Sequence, residues 1–222
     1  SPTLQAQIAA VLAELPETKW VAWEPAGRDN VFAGTKLAFG EELQPVYAFD
    51  KADVILSLEA DFLGSGPSMP RHVRDFVSRR RAETMNRLYV VESTPTLTGA
   101  RADHRRPLSP AALAAFASSV AARVGAGAGP AGAEDAFAAA VAADLDGHRG
   151  TSLVVAGETQ PPEIHALAHA MNEALGKAHF VTKVVTNACR RGRYYFASTY
   201  EAAMARFPRG RSCGVCRPGA RA

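Results

Sequence analysis

The chain has 222 residues, of which 47% are hydrophobic and 21% are charged, as expected for a globular protein with a substantial core. No run of about 18 apolar residues is present, so the sequence predicts no transmembrane helix, and the first residues predict an amphipathic helix rather than a signal peptide. From Lys177 onward there are ten Lys or Arg and one acidic residue, a net charge of +9, which leaves −6 for residues 1–176.

Helix and strand patterns alternate along the first 176 residues. In chain order they predict a helix at 3–15, a strand at 19–23, a helix at 28–40, strands at 45–49 and 53–58, a helix at 68–82, a strand at 87–91, a helix at 109–124, a flexible Gly/Ala linker at 125–133, a helix at 134–146, a strand at 151–156 and a helix at 161–176. Ser68 and Ser109 stand at N-cap positions, each with a proline in the first helical turn.

This alternation predicts an α/β fold, with a mostly parallel sheet covered by helices on both faces. In such folds, ligands lie beyond the carboxyl ends of the strands. The loops at 59–68, 92–104 and 157–161 follow three of the predicted strands, and we expect them to cluster at that edge.

The segment "GSGPSM" at 64–69 resembles the glycine loop of a nicotinamide dinucleotide site, with Glu92 as the acid that binds the ribose. Its spacing is poor, because the first glycine comes six residues after the strand and Met69 replaces the third. Glu59 and Asp61 at the strand exit would also repel a phosphate. The sequence therefore favours a simple glycine turn that leads into a helix.

Three longer segments match the motif order of a known superfamily. They are "ADVILSLEADFLGSGP", "RLYVVESTPTLTGARADHRRPL" and "TSLVVAGETQPPEIHALAHAMNEALG". They resemble successive strand-and-loop segments of the molybdopterin oxidoreductases, in which these loops hold the guanine dinucleotide arms of a bis-pterin molybdenum cofactor. Within this superfamily, the sequence looks like the fused molybdopterin-like and iron–sulfur subunit of alternative complex III. The segments that carry this resemblance are "ADFLGSGP", "MNRLYVVESTPTLTGARADHR" and "WEPAGRDN". The resemblance covers about residues 18–176.

The resemblance places the remains of a dinucleotide site on six residues: Glu59, Asp61, Glu92, Thr96, Thr98 and Asp103. Glu92 stands where the superfamily pattern has Asp, and Thr96 and Thr98 match its two threonines. The pattern's pair of arginines is replaced by Thr94-Pro95. Because two cationic partners of a phosphate are gone and two carboxylates have been gained, we expect a degenerate site with no bound cofactor and no catalytic residue. Three arginines near these loops in sequence are candidates for compensation: Arg71, Arg74 and Arg101.

The resemblance also implies a setting for the domain. We expect a structural role beside an iron–sulfur electron-transfer module, in a membrane-bound quinol-oxidising complex on the periplasmic side of a bacterial inner membrane. The partners would be the other subunits of that respiratory complex, without nucleic-acid binding or direct membrane insertion. Residues 1–176 contain no Cys, so iron–sulfur clusters would lie only in parts outside this chain, and no metal ligand set is identified.

Several conspicuous side chains have a plainer interpretation. His165 and His169 have the i, i+4 spacing of metal ligands, but without a third ligand nearby they predict ordinary helix histidines. Asp103-His104 predicts a loop carboxylate that caps turn amides. The run 79–81 of three arginines predicts a solvated helix end, and Cys213 and Cys216 form an incomplete Cys-x-x-Cys site.

Residues 177–222 depart from the family pattern and predict a separate basic tail, although "AHFVTKVV" is compatible with a last strand. Two other functions stay open. The chain is either a fragment of a genuine molybdenum oxidoreductase that binds the bis-pterin guanine dinucleotide cofactor, or a basic binding module that acts through its tail.

Overall fold

The fold is given by a computed structural model that describes residues 2–21, 27–66, 68–83, 85–127, 135–176 and 181–185. The linker prediction over 128–133 and the tail from 186 onward, with all three cysteines, lie outside the described residues. In the described part, no helix is both long enough and apolar enough to cross a membrane.

Seven helices and six strands make up the described structure. The helices are α1 (Pro2–Glu14), α2 (Asp29–Phe39), α3 (Met69–Ser78), α4 (Leu97–Ala100), α5 (Pro110–Arg123), α6 (Ala136–Gly147) and α7 (Pro162–Ala174). The strands are β1 (Leu43–Tyr47), β2 (Val54–Leu58), β3 (Arg87–Glu92), β4 (His104–Pro107), β5 (Ser152–Ala156) and β6 (Val181–Val185), and a short 3-10 helix covers Phe49–Lys51.

Four strands form the central sheet, in the order β4-β3-β2-β5, and every neighbouring pair is parallel. Leu58, at the end of β2, lies beside Val91 in β3 and Ala156 in β5. The carboxyl ends of these three strands are therefore level, and the loops that follow them leave from one edge of the sheet.

Helices cover both faces of this sheet because its strands are apolar on both sides. On one face, Val54, Leu56 and Leu58 of β2 pack against the buried residues of α5, α6 and α7. On the other face, Ile55 packs with residues of the 3-10 helix and α3, including Phe76. The predicted α/β class, with a mostly parallel sheet between two helical layers, is confirmed.

The strand at the edge of the sheet is protected by a helix. The side chain of Asn172 in α7 accepts a hydrogen bond from the Val154 N–H and donates one to the Val154 carbonyl, both at 2.8 Å. Since β5 pairs with β2 alone among the described strands, Asn172 takes the place of a neighbouring strand at that point.

A second, two-stranded antiparallel sheet pairs β1 with β6, from Leu43 opposite Val185 to Tyr47 opposite Val181. The prediction of a strand at 45–49 is shifted, because the strand ends at Tyr47 and Phe49 belongs to the 3-10 helix. The strand considered within "AHFVTKVV" is present as β6.

Three local predictions differ from the structure. A strand was predicted at 19–23, but residues 19–21 have no regular secondary structure, and residues 22 and 23 lie outside the described part. The side chains of Trp20 and Val21 are exposed, and no described strand pairs with them. The loop at 92–104 contains the short helix α4 and leads into β4, which the sequence did not predict. Ser68 makes no capping hydrogen bond, whereas Ser109 accepts one from the Ala112 N–H.

Candidate functional site

The chain order places a crevice at the carboxyl edge of the sheet. From β2 the chain adds β3 and β4 on one side and later returns to add β5 on the other, so the strand order reverses between β2 and β5. Parallel sheets bind ligands at such a reversal. A cavity of about 320 Å³ lies there, lined by parts of the loops after β2, β3 and β5 together with residues of α2, β1 and α3.

Glu59 ties the three loops together. Its backbone has a φ of 57°, the left-handed region that a residue with a side chain seldom adopts. One carboxylate oxygen accepts hydrogen bonds from the N–H and hydroxyl of Ser93, and the other accepts one from the side-chain amide of Gln160 at 2.5 Å. Gly157 is required beside it, because a Cβ there would overlap the Glu59 carbonyl.

Asp61 makes the second link between the loops. Its Oδ1 accepts hydrogen bonds from the Thr98 N–H at 3.0 Å and the Thr98 hydroxyl at 2.8 Å. The same hydroxyl accepts a bond from the Leu63 N–H at 3.1 Å. Gly64 lies so close to the Asp61 carboxylate that a Cβ would overlap it. Asp61 and Thr98 therefore fix the loop after β2 to the first turn of α4.

Glu92 is the most buried of these acids, with 1% of its surface exposed. Its carboxylate accepts hydrogen bonds from the Thr96 hydroxyl at 2.7 Å and the Thr96 N–H at 3.4 Å, and it forms an ion pair of 2.5 Å with Arg105 of β4. The Thr96 hydroxyl in turn caps α4 by accepting a bond from the Gly99 N–H at 3.0 Å. Glu92 is thus buried with its carboxylate fully paired, and its bonds to the half-buried Thr96 and to Arg105 hold the loop after β3 in place.

The structure thus brings five of the six predicted site residues together and leaves Asp103 apart. Asp103 accepts a bond from the Leu88 N–H at 2.7 Å, near the start of β3, and pairs with Arg80 at 2.7 Å. Burial alone would raise its pKa, but the hydrogen bonds from Arg80 and Leu88 hold the pKa below its ordinary value. The expectation that the whole of 92–104 lies at the carboxyl edge is wrong at this end, because the chain runs back to start the parallel strand β4.

The loop donors do not fit a phosphate. Phosphates in proteins bind to free backbone N–H groups, hydroxyls and cations. Here the N–H groups of Ser93, Thr96 and Thr98 and their hydroxyls already donate to carboxylates of the protein itself. A pyrophosphate at this place would have to displace them and lie against three negative charges. The residues to which the resemblance assigns a pterin dinucleotide therefore do not fit that group.

None of the three arginines considered as compensation lines the cavity. Arg71 and Arg74 both pair with Asp75 of their own helix, at 3.3 and 3.1 Å. The carbonyl of Arg101 accepts a bond from Arg80. Within the run 79–81, Arg79 pairs with Asp53 and Arg80 with Asp103, so that run stabilises the junction of α3 with the sheet rather than a solvated helix end alone.

Arg28 is a cation that the sequence did not single out, although "WEPAGRDN" contains it. It donates through Nε to Glu158 and through Nη1 to Gln44, both at 2.6 Å, and its guanidinium lies 5.7 Å from the centre of the Phe32 ring. Arg28 therefore connects α2 and β1 to the loop after β5, and it lines the cavity. Its role could not be inferred from sequence, since its two partners lie 16 and 130 residues away.

Three histidines are buried near this crevice: His72 in α3, and His165 and His169 in α7. The pKa of each is lowered to about 4, chiefly by burial and to a smaller extent by positive charge on neighbouring side chains. His165 and His169 were expected to be ordinary helix histidines. In the described residues, no group of three or more side chains has the arrangement of a metal site.

Comparison with known proteins adds no relative. No protein-family model matches the chain, and no curated protein matches it.

Proposed function

We propose that this chain is a cofactor-free, structural molybdopterin-oxidoreductase-like domain of an iron–sulfur electron-transfer subunit. The observation that supports this proposal best is the set of hydrogen bonds that Ser93, Thr96 and Thr98 donate to the carboxylates of Glu59, Glu92 and Asp61. The N–H and hydroxyl groups of the loop after β3 donate their hydrogen bonds to three carboxylates of the protein, where an external anion would otherwise accept them. These hydrogen bonds join the loops to one another, which is consistent with a scaffold.

The free energies of the missing phosphate contacts support the proposed loss of cofactor binding. Each missing charge-assisted bond to a phosphate costs on the order of 1.5–3 kcal/mol. The two arginines replaced by Thr94-Pro95 would therefore lower affinity by about two to four powers of ten. Displacing the carboxylates from their hydrogen bonds adds a further cost of the same kind.

The partners we propose are the other subunits of a membrane-bound, quinol-oxidising respiratory complex at the periplasmic face of a bacterial inner membrane. The domain would supply contact surface, and electrons would pass through iron–sulfur clusters carried by parts outside this chain. This proposal follows from the segments "ADFLGSGP" and "RLYVVESTPTLTGARADHR". Affinity purification from the native host should recover a quinol-binding membrane subunit and a multihaem cytochrome with the chain. Recovery of the folded chain without such subunits would count against the complex.

Metal and pterin analysis tests the absence of cofactor. The chain is expressed in a host that makes the bis-pterin guanine dinucleotide, purified by gel filtration, and analysed for molybdenum by inductively coupled plasma mass spectrometry. We expect far less than one molybdenum per chain and no fluorescent pterin after oxidation. Stoichiometric molybdenum that survives gel filtration would instead support a molybdenum oxidoreductase fragment.

A further inference from the structure

The cavity at the strand-order reversal holds an unpaired hydroxyl, that of Tyr47. This residue ends β1, lines the cavity and is 7% exposed. Its hydroxyl makes no hydrogen bond within the part of the chain that the structure describes, and unlike Nε2 of His72 and of His165 it is not closed off from solvent. Burial raises the pKa of Tyr47, so the hydroxyl stays protonated at neutral pH. A tyrosine hydroxyl so nearly buried normally has a polar partner, which here would have to come from the cavity.

Two carboxylates at the cavity each keep one unpaired oxygen. Oδ1 of Asp61 accepts the bonds from Thr98, and Oε1 of Glu158 accepts the bond from Arg28. The second oxygens, Oδ2 of Asp61 and Oε2 of Glu158, have no partner among the described residues, and they are not closed off from solvent either. Both residues line the cavity. With the Tyr47 oxygen, three oxygens there can still accept a hydrogen bond.

The charge of the cavity lining is negative. Among the described residues, the lining has three acids, Glu59, Asp61 and Glu158, and one base, Arg28, so its net charge is 1 − 3 = −2. The two lining histidines are neutral at pH 7, because their pKa values are about 4. The positive charge of Arg28 is matched by Glu158 at 2.6 Å. The charges that repel a phosphate therefore attract a cation.

The rest of the wall suits a hydrocarbon group. It includes Val31, Pro45, Phe62 and Val155. The volume of about 320 Å³ falls within the range of small-molecule sites, which combine a mostly apolar wall with a few polar groups. A ligand that fits this lining has a small apolar body and one positively charged group.

We propose that this cavity binds a small primary amine in its protonated form. The ammonium donates to Oδ2 of Asp61, Oε2 of Glu158 and the oxygen of Tyr47, and the apolar body lies against the wall. An ammonium group has three donors and no acceptor, which matches the three unpaired oxygens. The site does not rest on the proposed scaffold role, because it requires no phosphate, molybdenum or partner subunit, and its failure would leave the molybdenum and pterin analysis unaffected.

Benzylamine is a suitable probe, since it combines an ammonium group with a small apolar ring. The full chain, labelled with ¹⁵N, is titrated with benzylamine at pH 7.5, and the backbone amides of Gly66, Glu158 and Thr159, which line the cavity, are followed by NMR. We expect saturable shifts of these amides and a dissociation constant on the order of 1 mM for so small a ligand. Absence of saturable shifts at ten times that concentration would overturn the proposal.

Two analogues of the same size separate the effect of charge from that of the ring. Benzyl alcohol keeps the ring but carries no charge, so it should bind at least about fivefold more weakly than benzylamine. Benzoate reverses the charge and should bind more weakly still. Benzyl alcohol or benzoate that bound as tightly as benzylamine would contradict a site for a cation.

A matched pair of variants tests the carboxylate. Glu158→Gln keeps the shape of the side chain and an oxygen for Arg28 but removes the charge, and it should weaken benzylamine binding about fivefold. Glu163→Gln makes the same change at an exposed residue in the first turn of α7, outside the cavity lining, and should leave binding within twofold of the parent chain. An equal effect of the two substitutions would show only a general attraction of charge.

A second pair tests the hydroxyl. Tyr47→Phe keeps the ring and removes one acceptor, so benzylamine should bind about fivefold more weakly. Tyr89→Phe removes a hydroxyl that bonds to Asp144 away from the cavity, and it should leave binding within twofold of the parent chain. Unchanged binding in a folded Tyr47→Phe variant would contradict the role of this hydroxyl. The titrations of the parent chain with the three ligands decide the proposal even if a variant does not fold.

Discussion

At the scale of single residues, each of the three acids of the crevice lies against a glycine. Asp61 lies over Gly64, Glu92 over Gly99, and the backbone of Glu59 over Gly157, and in each case a Cβ on the glycine would overlap its neighbour. The sequence showed these glycines only as turn residues. The role of Gly157 depends on the backbone of Glu59, 98 positions earlier in the chain, which no local pattern indicates.

Substitution of Gly99 should be costly. Gly99→Ala places a methyl group in the Glu92 carboxylate and forces that buried acid away from Arg105 and Thr96. We expect a loss of about 3 kcal/mol in the free energy of unfolding, measured by urea denaturation. Gly147→Ala is the matched control, because a Cβ at this other helical glycine meets nothing within 4 Å, and its effect should stay within about 0.5 kcal/mol. Equal stabilities for the two variants would contradict the close packing at Gly99.

The buried histidines should make the fold sensitive to acid. The pKa values of His72, His165 and His169 are about 4 in the folded chain, below the ordinary value of 6.5. Between these values the unfolded chain binds more protons than the folded chain, so stability is complete above about pH 6.5 and falls as the pH is lowered towards 4. Each ring contributes a loss of about 2 kcal/mol between pH 7.5 and pH 5.

His169→Leu tests this contribution. The variant should show a fall in unfolding free energy between pH 7.5 and pH 5 that is smaller by about 2 kcal/mol than that of the parent chain. Substitution of the exposed His104 leaves the three buried rings in place and serves as the control. An unchanged pH dependence in His169→Leu would show that the ring is not held neutral by burial.

At the scale of elements, the sequence-based predictions were most accurate for strands that are buried on both faces. The runs 53–58, 87–91 and 151–156 correspond within one residue to β2, β3 and β5, because their continuous apolar pattern leaves no other favourable state. Strand β4 reads His-Arg-Arg-Pro and was missed, since it is largely exposed and held by pairing with β3 and by the Arg105–Glu92 ion pair. Such a strand is formed by tertiary contacts and not by its own composition.

The edge strand β5 depends on one side chain of α7. Asn172→Ala leaves the N–H and the carbonyl of Val154 without partners in a buried position, so we expect a loss of about 2–3 kcal/mol in unfolding free energy. Native-state hydrogen exchange should show faster exchange of the Val154 amide in the variant. Glu173→Ala, at the neighbouring exposed position, is the control. Unchanged exchange at Val154 would show that Asn172 does not protect the edge.

At the scale of the whole molecule, the alternation of elements was sufficient to predict the fold class and the meeting of the three loops, apart from the Asp103 end of 92–104. It was not sufficient to predict the cavity, which is lined by Arg28 just before α2 and by His72 and His165 from helices on opposite faces of the sheet. The resemblance identified the crevice through Glu59, Asp61 and Glu92. The sequence could not show whether these carboxylates bind a ligand or other residues of the chain, because their hydrogen-bond partners are known only from the folded structure.

The basic segment beyond β6 should be dispensable for folding. Residues 187–222 are rich in Arg, Gly and Pro, a composition that offers little apolar surface to offset the entropy of ordering. A chain that ends at Val185 should keep the melting temperature of the parent within a few degrees. A chain that ends at Gly176 also removes β6 and should be less stable, because β1 then loses its partner strand. Failure of the chain that ends at Val185 to fold would show that the tail belongs to the domain.

The central claim is that the hydrogen-bond donors of the loop after β3 bind carboxylates of the chain itself and do not bind a phosphate. Backbone amide NMR during a titration with guanosine diphosphate tests it most directly, since this compound carries the base and pyrophosphate of one cofactor arm. We predict that the amide signals of Ser93, Thr96 and Thr98 stay unchanged up to millimolar ligand. Saturable shifts of these three amides at micromolar concentrations would contradict the account.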